Sequence, residues 1–198
     1  MKAYAATKNA GKLAELRAIF AGSLVELHAY DEYEDVIEDA GTYRGNALLK
    51  ARALARQLRD AGIVAAAISD DSGLEVDALG GRPGVYSARY AGAEASWAAR
   101  RSHLLDEMRG VPESERGARF VSTLALIESD GVELVAFGTV DGRVAEEERG
   151  TGGFGYDPVF FYLPRRGTFA ELSAGEKNRI SHRRAAANQL LTELHRRA

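Results

Sequence analysis

Ile63-Val64-Ala65-Ala66-Ala67-Ile68-Ser69-Asp70-Asp71-Ser72-Gly73 is the stretch that decides the fold. Its first six residues form a short, continuous, uncharged apolar run, the pattern of a buried strand. Two adjacent carboxylates then stand at the mouth of that strand and repel each other. Burying a polar group without a partner costs about 2 to 7 kcal/mol, and a charge costs more. A chain accepts that cost where a cation is to be held. The same residues also fit an Asp-Asp-Ser-Gly turn, with Asp and Ser bonding local backbone amides. On this segment alone both readings stand.

Elements alternate outward from the strand. Ahead of it, Ala47, Leu48, Ala51, Leu54, Ala55 and Leu58 follow helical spacing from Asn46, and Gly62 ends the helix. Lys2 to Ala6 reads as a first strand, and Leu13, Leu16 and Phe20 share the face of a helix that runs to about Ala21. Val25 to His28 suggests a short strand, and the six acids between Asp31 and Asp39 suggest a solvated loop. Downstream, Leu74 to Val76 fits a short strand before the loop Gly80-Gly81-Arg82-Pro83-Gly84. Ser96 can cap a helix to about Arg109. Two long β-like stretches, Ala118 to Glu128 and Val132 to Val144, flank the hairpin signal Asp130-Gly131. A glycine-rich loop, Gly150 to Pro158, leads into Val159-Phe160-Phe161. Thr168 with Glu171 and Ser173 with Glu176 fit capping boxes. A final helix carries Ala185, Ala186, Leu190, Leu191 and Leu194. The expected class is α/β: a mixed, long central sheet with flanking helices, in a single domain over residues 1–198.

Composition narrows the chemistry. The 198 residues are 45% hydrophobic and 28% charged, with a net charge of −3, so neither a nucleic acid nor an anionic membrane is the expected partner. Cysteine is absent, which removes thiolate nucleophiles and thiolate metal sites. A metal would sit on oxygen or imidazole. Met1 to Ala6 is too short for a signal-peptide core and no 18-residue apolar run exists, so a cytoplasmic protein is expected.

Two segments offer positive charge. Thr7-Lys8-Asn9-Ala10-Gly11-Lys12 joins a strand to a helix, and a helix start presents free amides and about half a positive charge to an anion. It is not a P-loop, because one glycine precedes Lys12 and Leu13 follows it. A capped helix with a surface lysine fits the segment equally. Lys177-Asn178-Arg179-Ile180-Ser181-His182-Arg183-Arg184 gathers cations without interleaved aromatics, which suits a triphosphate or a base edge better than a long polyanion.

Four blocks together resemble the inosine triphosphate pyrophosphatase family, the house-cleaning non-canonical purine nucleoside triphosphatases. They are Ala6 to Leu16, Asp70 to Tyr90, Gly150 to Phe160 and Glu176 to Arg183, in the family's order over nearly the whole chain. The resemblance implies two lobes around a nucleotide cleft, and hydrolysis of ITP, dITP and XTP to the monophosphate and pyrophosphate. It also implies Mg²⁺ as cofactor and a homodimer. Carried over residue by residue, it makes Asp71 the proton acceptor and a metal ligand, with Glu38 as second metal ligand. It assigns substrate contacts to Thr7, Lys8, Asn9, Ala10, Gly11, Lys12, Ser72, Phe154, Gly155, Tyr156, Asp157, Lys177, His182 and Arg183. The chain departs from the family in having Gly45-Asn46-Ala47 where glutamate-asparagine-alanine is common. The segment from Glu38 to Asn46 is also about one residue short, which leaves Glu38 and Asp39 as alternatives.

The resemblance gives each residue type a task. Phe154 would stack a purine, a contact worth about 1 to 3 kcal/mol and blind to base identity. Arg183 only donates, so it would favour the O6 acceptor of hypoxanthine or xanthine over adenine's amine. Lys12 and Lys177 would stabilise the leaving pyrophosphate. His182 fits a base contact or a structural role. Lys50 lies off the apolar face of its helix and reads as solvated, with entry into the cleft as the lesser reading; Trp97 reads as packing, and Arg89 and Tyr90 fit a cleft wall or a dimer contact. Two other functions remain open at this point: a pyrophosphatase for pyrimidine or other modified-base triphosphates, and a non-catalytic nucleotide sensor.

Overall fold

The structure is a computed structural model that describes Met1–Arg197. Its strands are Lys2–Ala5 (β1), Glu26–Ala29 (β2), Ala66–Val76 (β3), Gly117–Ile127 (β4), Glu133–Val144 (β5), Phe160–Tyr162 (β6) and Gly167–Thr168 (β7). They form one seven-stranded sheet in the order β2-β1-β3-β4-β5-β6-β7. β1 is parallel to both β2 and β3, whereas β6 is antiparallel to β5 and β7, so the sheet is mixed as expected. The helices are Ala10–Phe20 (α1), Tyr43–Asp60 (α2), Trp97–Glu107 (α3), Ala174–Ile180 (α4) and His182–Arg197 (α5). No helix among the described residues is long and apolar enough to cross a membrane.

The chain forms two compact units, each assembled from separated segments: residues 1–71, 122–138 and 182–198, and residues 72–121 and 139–181. In the first, Leu16, Ile19 and Phe20 of α1 and Ala186, Ala187, Leu190 and Leu194 of α5 pack on one sheet face, over Ala3, Ala5, Ala66, Ile68, Leu124 and Leu126. Leu54 and Leu58 of α2 cover Ala67 on the other face, and Ala47 and Ala51 of α2 meet Ala125 and Ile127. Alternation along the strands sorts these side chains, since successive residues point to opposite faces. The second unit has its own core of Leu74, Val76, Leu104, Met108, Phe120, Val140, Tyr156, Phe160 and Phe169.

Local chemistry sets the helix ends. Asn9 caps α1, Thr42 caps α2 and Ser96 caps α3, each through a side-chain oxygen that accepts a first-turn amide. α2 therefore starts three residues before the expected Asn46. Both capping boxes form, that of Thr168 and Glu171 on a single 3₁₀ turn and that of Ser173 and Glu176 on α4.

Of the two readings open for Asp70 to Gly73, the turn does not form. β3 runs unbroken for 11 residues through Asp70 and Asp71. Its first ladder partner is Ala66, opposite Ala3, so Ile63 to Ala65 precede the strand and Val64 is 85% exposed. The polar residues stay extended because side chains from both sheet faces supply the partners a turn would otherwise have provided.

Candidate functional site

The first unit gathers most of the candidate residues around the end of its β3 segment. Alternation sends Asp70 toward α1 and α5 and Asp71 toward α2. Asp70 Oδ2 lies 3.0 Å from Lys12 Nζ and 3.1 Å from Arg183 Nε, and Ser122 Oγ donates to Oδ1 at 2.7 Å. Arg183 Nη1 also donates to Glu15 Oε2 at 2.8 Å. Burial alone would raise Asp70's pKa, but Arg183, Lys12 and the Ser122 hydroxyl outweigh it and hold the carboxyl well below the usual carboxylate range. Burial draws the Lys12 ammonium downward, and Asp70 opposes that pull.

Asp71 has a different shell. Asn46 Nδ2 donates to its Oδ2 at 3.2 Å, and Lys50 Nζ lies 3.3 Å from its Oδ1. The same ammonium lies 3.2 Å from Glu38 Oε1 and donates to the Asp70 carbonyl at 3.0 Å. Asn46 Oδ1 accepts the Ala40 amide at 3.1 Å, so one buried side chain ties the loop that carries Glu38 to Asp71. Ser69, on the same strand face as Asp71, donates to the Ala47 carbonyl at 2.6 Å and fixes α2 against β3. Burial pushes Asp71 up to about 6, against the lowering pull of Lys50 and Lys12. Burial works to lower Lys50, but Asp71, Glu38 and Asp70 reverse it and the ammonium's pKa is raised.

The expectation of a solvated Lys50 is therefore wrong: the residue is 5% exposed and bonded to three oxygens. Helical periodicity places a lysine off the apolar face in water unless carboxylates from elsewhere in the chain come to meet it. Glu15, Asn46 and Ser122 also belong to the cluster; Glu15 and Asn46 fall within segments that resemble the family but carry no assigned role there, and Ser122 lies outside all of them. Between the two acids left open by the sequence, Glu38 is the one on Lys50, and Asp39 is exposed.

The Thr7 to Lys12 segment turns into α1 as anticipated. Thr7 Oγ1 accepts the Asn9 amide at 3.1 Å and Asn9 Oδ1 accepts the Lys12 amide at 3.0 Å, so these two side chains shape the helix start. Lys8 is exposed, Ala10 and Gly11 open the first turn, and Lys12 extends to Asp70. His182 and Arg183 open α5 and are buried. Ser72, half-buried, follows Asp71 on β3.

The second unit brings together the remaining candidates. Lys177 of α4 forms a buried ion pair with Asp157, and its ammonium lies 4.6 Å from the centroid of the Phe154 ring. Asp157 Oδ2 also accepts the Phe154 amide at 2.7 Å. The glycine-rich loop is pinned from α3, where Arg101 Nη1 donates to the Gly155 carbonyl at 3.0 Å and Arg101 Nε pairs with Glu148 at 2.9 Å. Trp97 packs edge-on against Tyr156, with centroids 5.5 Å apart, and Tyr156 donates its hydroxyl proton to the Ser87 carbonyl at 3.1 Å. Gly153 and Gly155 have φ of 66° and 65°, and a Cβ at Gly153 would fall on the Asp157 carboxylate. Phe154 is thus presented by a loop shaped by buried neighbours, and Trp97 packs as expected. Tyr90 packs against this unit's core and donates to Glu107, while Arg89 lies over the Tyr86 ring.

Among the described residues no group of three or more His, Asp or Glu could hold a metal ion. Asp71 and Glu38 nonetheless converge on a single ammonium.

Known proteins share this whole arrangement of chain. A dITP/XTP pyrophosphatase of Geobacillus kaustophilus is 50% identical over 189 residues, covering 93% of this chain and 90% of the relative. One of Shouchella clausii is 46% identical over 187 residues, with 93% and 92% covered. Among solved structures, a HAM1 protein from Coxiella burnetii superposes with a TM-score of 0.85 at 37% identity, over 99% of both chains. The Staphylococcus aureus Ham1 protein gives 0.84 at 37% identity over 100% of both. The family model described as the Ham1 family matches residues 3–193. With that match, relatives of up to half-identical sequence and the same fold over full length, this chain belongs to the Ham1 family.

Proposed function

We propose that the protein is a dITP/XTP pyrophosphatase that hydrolyses non-canonical purine nucleoside triphosphates to the monophosphate and pyrophosphate. The observation that carries this reading is the first-unit cluster: Lys12 beside the open first turn of α1, with Asp71 poised on Lys50 and Asn46. Cations and free helix amides suit a triphosphate, and a buried carboxylate suits the orientation of an attacking water. The names carried by the relatives favour the purine substrates over pyrimidine ones.

Mg²⁺ is the proposed cation. Asp71 and Glu38 fit it, because both are oxygen donors that meet at one positive charge, and Mg²⁺ is commonly bound by one or two carboxylates plus substrate phosphates. When bound, it supplies charge neutralisation on the phosphates and acidifies coordinated water. The protein's own groups do the rest. Lys12 and the first-turn amides of α1, including those of Ala10 and Gly11, bind phosphate oxygens. Asp71 holds the water at its carboxylate and takes its proton as the water attacks the α-phosphorus. Asp70 stays ionised and keeps Lys12 in place. In the second unit, Phe154 offers a ring face to the purine, and Lys177 offers charge to the leaving group. Ser72 and His182 complete the proposed substrate contacts. Tyr156, Gly155 and Asp157 shape the loop beneath Phe154. Arg183 is engaged with Asp70 and Glu15, which favours anchoring over reading O6. A homodimer in the cytoplasm completes the reading, on the strength of the family resemblance.

Incubation with Mg²⁺ and dITP, XTP, GTP, ATP, dTTP and UTP tests the function by the anion released. Pyrophosphate from dITP and XTP, well ahead of the others, is expected. Orthophosphate release would refute attack at the α-phosphorus, preference for dTTP or UTP would move the enzyme to pyrimidines, and absence of turnover would make the protein a sensor.

A further inference from the structure

We infer that the Lys50 ammonium is a built-in placeholder for the divalent cation, holding Asp71 and Glu38 together in the nucleotide-free protein and leaving when the metal enters. The inference rests on the proposed reading of those two carboxylates as the metal's ligands. Three oxygens, two from adjacent residues of β3 and one from the loop before α2, surround Nζ: Asp71 Oδ1 at 3.3 Å, the Asp70 carbonyl at 3.0 Å and Glu38 Oε1 at 3.2 Å. An all-oxygen set converging on one compact charge is the donor chemistry of a hard cation. An ammonium supplies the same sign at longer range, since its oxygens stand at about 3 Å against about 2.1 Å for Mg²⁺.

The surroundings let the ammonium leave without dismantling the site. Asp71 Oδ2 is held by Asn46, and Asn46 also holds the Ala40 amide, so Asp71 and the backbone of the loop that carries Glu38 keep anchors that do not involve Lys50. Lys50 itself sits on a four-carbon stem whose head can swing while α2 stays fixed. The helix is fixed independently where Ser69 bonds the Ala47 carbonyl. The exposed side of the trio is Glu38, whose side chain is 36% accessible against 6% for Lys50, so a cation can approach from that side. Lys12 does not play this part. Its partner Asp70 is shared with Arg183 and Ser122, and removing Lys12 would leave that carboxylate compensated. Two cations drawn to the same carboxylates repel, so metal and ammonium compete.

Mn²⁺ binding to the nucleotide-free protein, followed by EPR, tests the competition in wild type, Lys50→Gln and Lys50→Arg. Lys50→Gln is expected to bind Mn²⁺ at least about tenfold tighter than wild type, and Lys50→Arg no tighter. Equal or weaker binding by Lys50→Gln overturns the inference, and so does a lack of binding by all three. Should Lys50→Gln fail to fold, the wild-type protein still decides. Its buried Lys50 ¹⁵Nζ resonance should shift and lose exchange protection as Mg²⁺ saturates, and a signal that stays unmoved at saturation overturns the placeholder. Product identification on wild-type enzyme stands apart from both measurements, so loss of the placeholder leaves the pyrophosphatase reading to its own assay.

Discussion

Asp70 and Asp71 share a peptide bond, yet their surroundings move their carboxyl pKa values in opposite directions. Asp70, ionised against Arg183 and Lys12, lends stability above the ordinary aspartate range and loses it as acid protonates the folded form. Asp71, pushed up to about 6 by burial, holds its proton more tightly folded than unfolded. Its contribution is fully present below about pH 4 and is lost as pH rises through about 6. Metal-free protein should therefore lose up to about 3 kcal/mol of stability between pH 4 and 6.5, and Asp71→Asn should flatten that slope in denaturant titrations. Activity runs the other way. At limiting substrate, kcat/KM should climb with pH through about 6 as the free enzyme's Asp71 becomes a base, and an acid limb absent from the profile would remove it from that role. Arg183 belongs at this scale too. Removing one partner of a buried charge pair costs about 3 to 5 kcal/mol, so Arg183→Ala should lower stability by that order and depress dITP and GTP turnover alike. Selective loss of dITP turnover would instead restore Arg183 as a reader of O6.

The element at which the sequence resemblance breaks is the start of α2, where packing accounts for the glycine. A Cβ at Gly45 would lie 2.5 Å from the Cβ of Ala40 and 2.9 Å from Thr42 Oγ1. The segment between Glu38 and Asn46, about one residue short against the family pattern, passes so close to the helix that glycine alone fits there. In an open helix, Gly→Ala stabilises by about 1 kcal/mol. Here Gly45→Ala should destabilise by about 1 to 3 kcal/mol and weaken metal binding, because the displaced loop carries Glu38. Thermal melts and Mn²⁺ titration of this variant check both, and a raised melting temperature would break the link between loop length and Gly45.

Across the whole molecule, what could be read from sequence was whatever neighbouring residues determine. Caps at Asn9, Ser96 and Ser173, the long stretches around Asp130-Gly131 and the four ordered blocks all announce themselves within a few positions. The illegible part depends on residues brought together from far apart. Arg183 meets Asp70 across 113 positions and Glu15 across 168, and nothing local to any of them signals the encounter. Lys50 looked solvated because the acids that surround it lie outside its helix. The choice between turn and strand at Asp70 to Gly73 is hidden for the same reason. Those residue types favour turns when their only partners are local amides, and α1, α2, α5 and β4 offer stronger ones.

The strand that replaced the turn makes the chemistry a matter of parity. Even-numbered positions from Ala66 to Asp70 look toward α1 and α5, and odd-numbered ones from Ala67 to Asp71 look toward α2. A single residue gained or lost between Ala66 and Ser69 would hand each carboxylate to the other's lysine and turn the core residues outward. A pair gained or lost together would preserve the assignment. The proposed division of labour between a structural and a reactive carboxylate is thus encoded less in which acid stands where than in whether a count along one strand is odd or even.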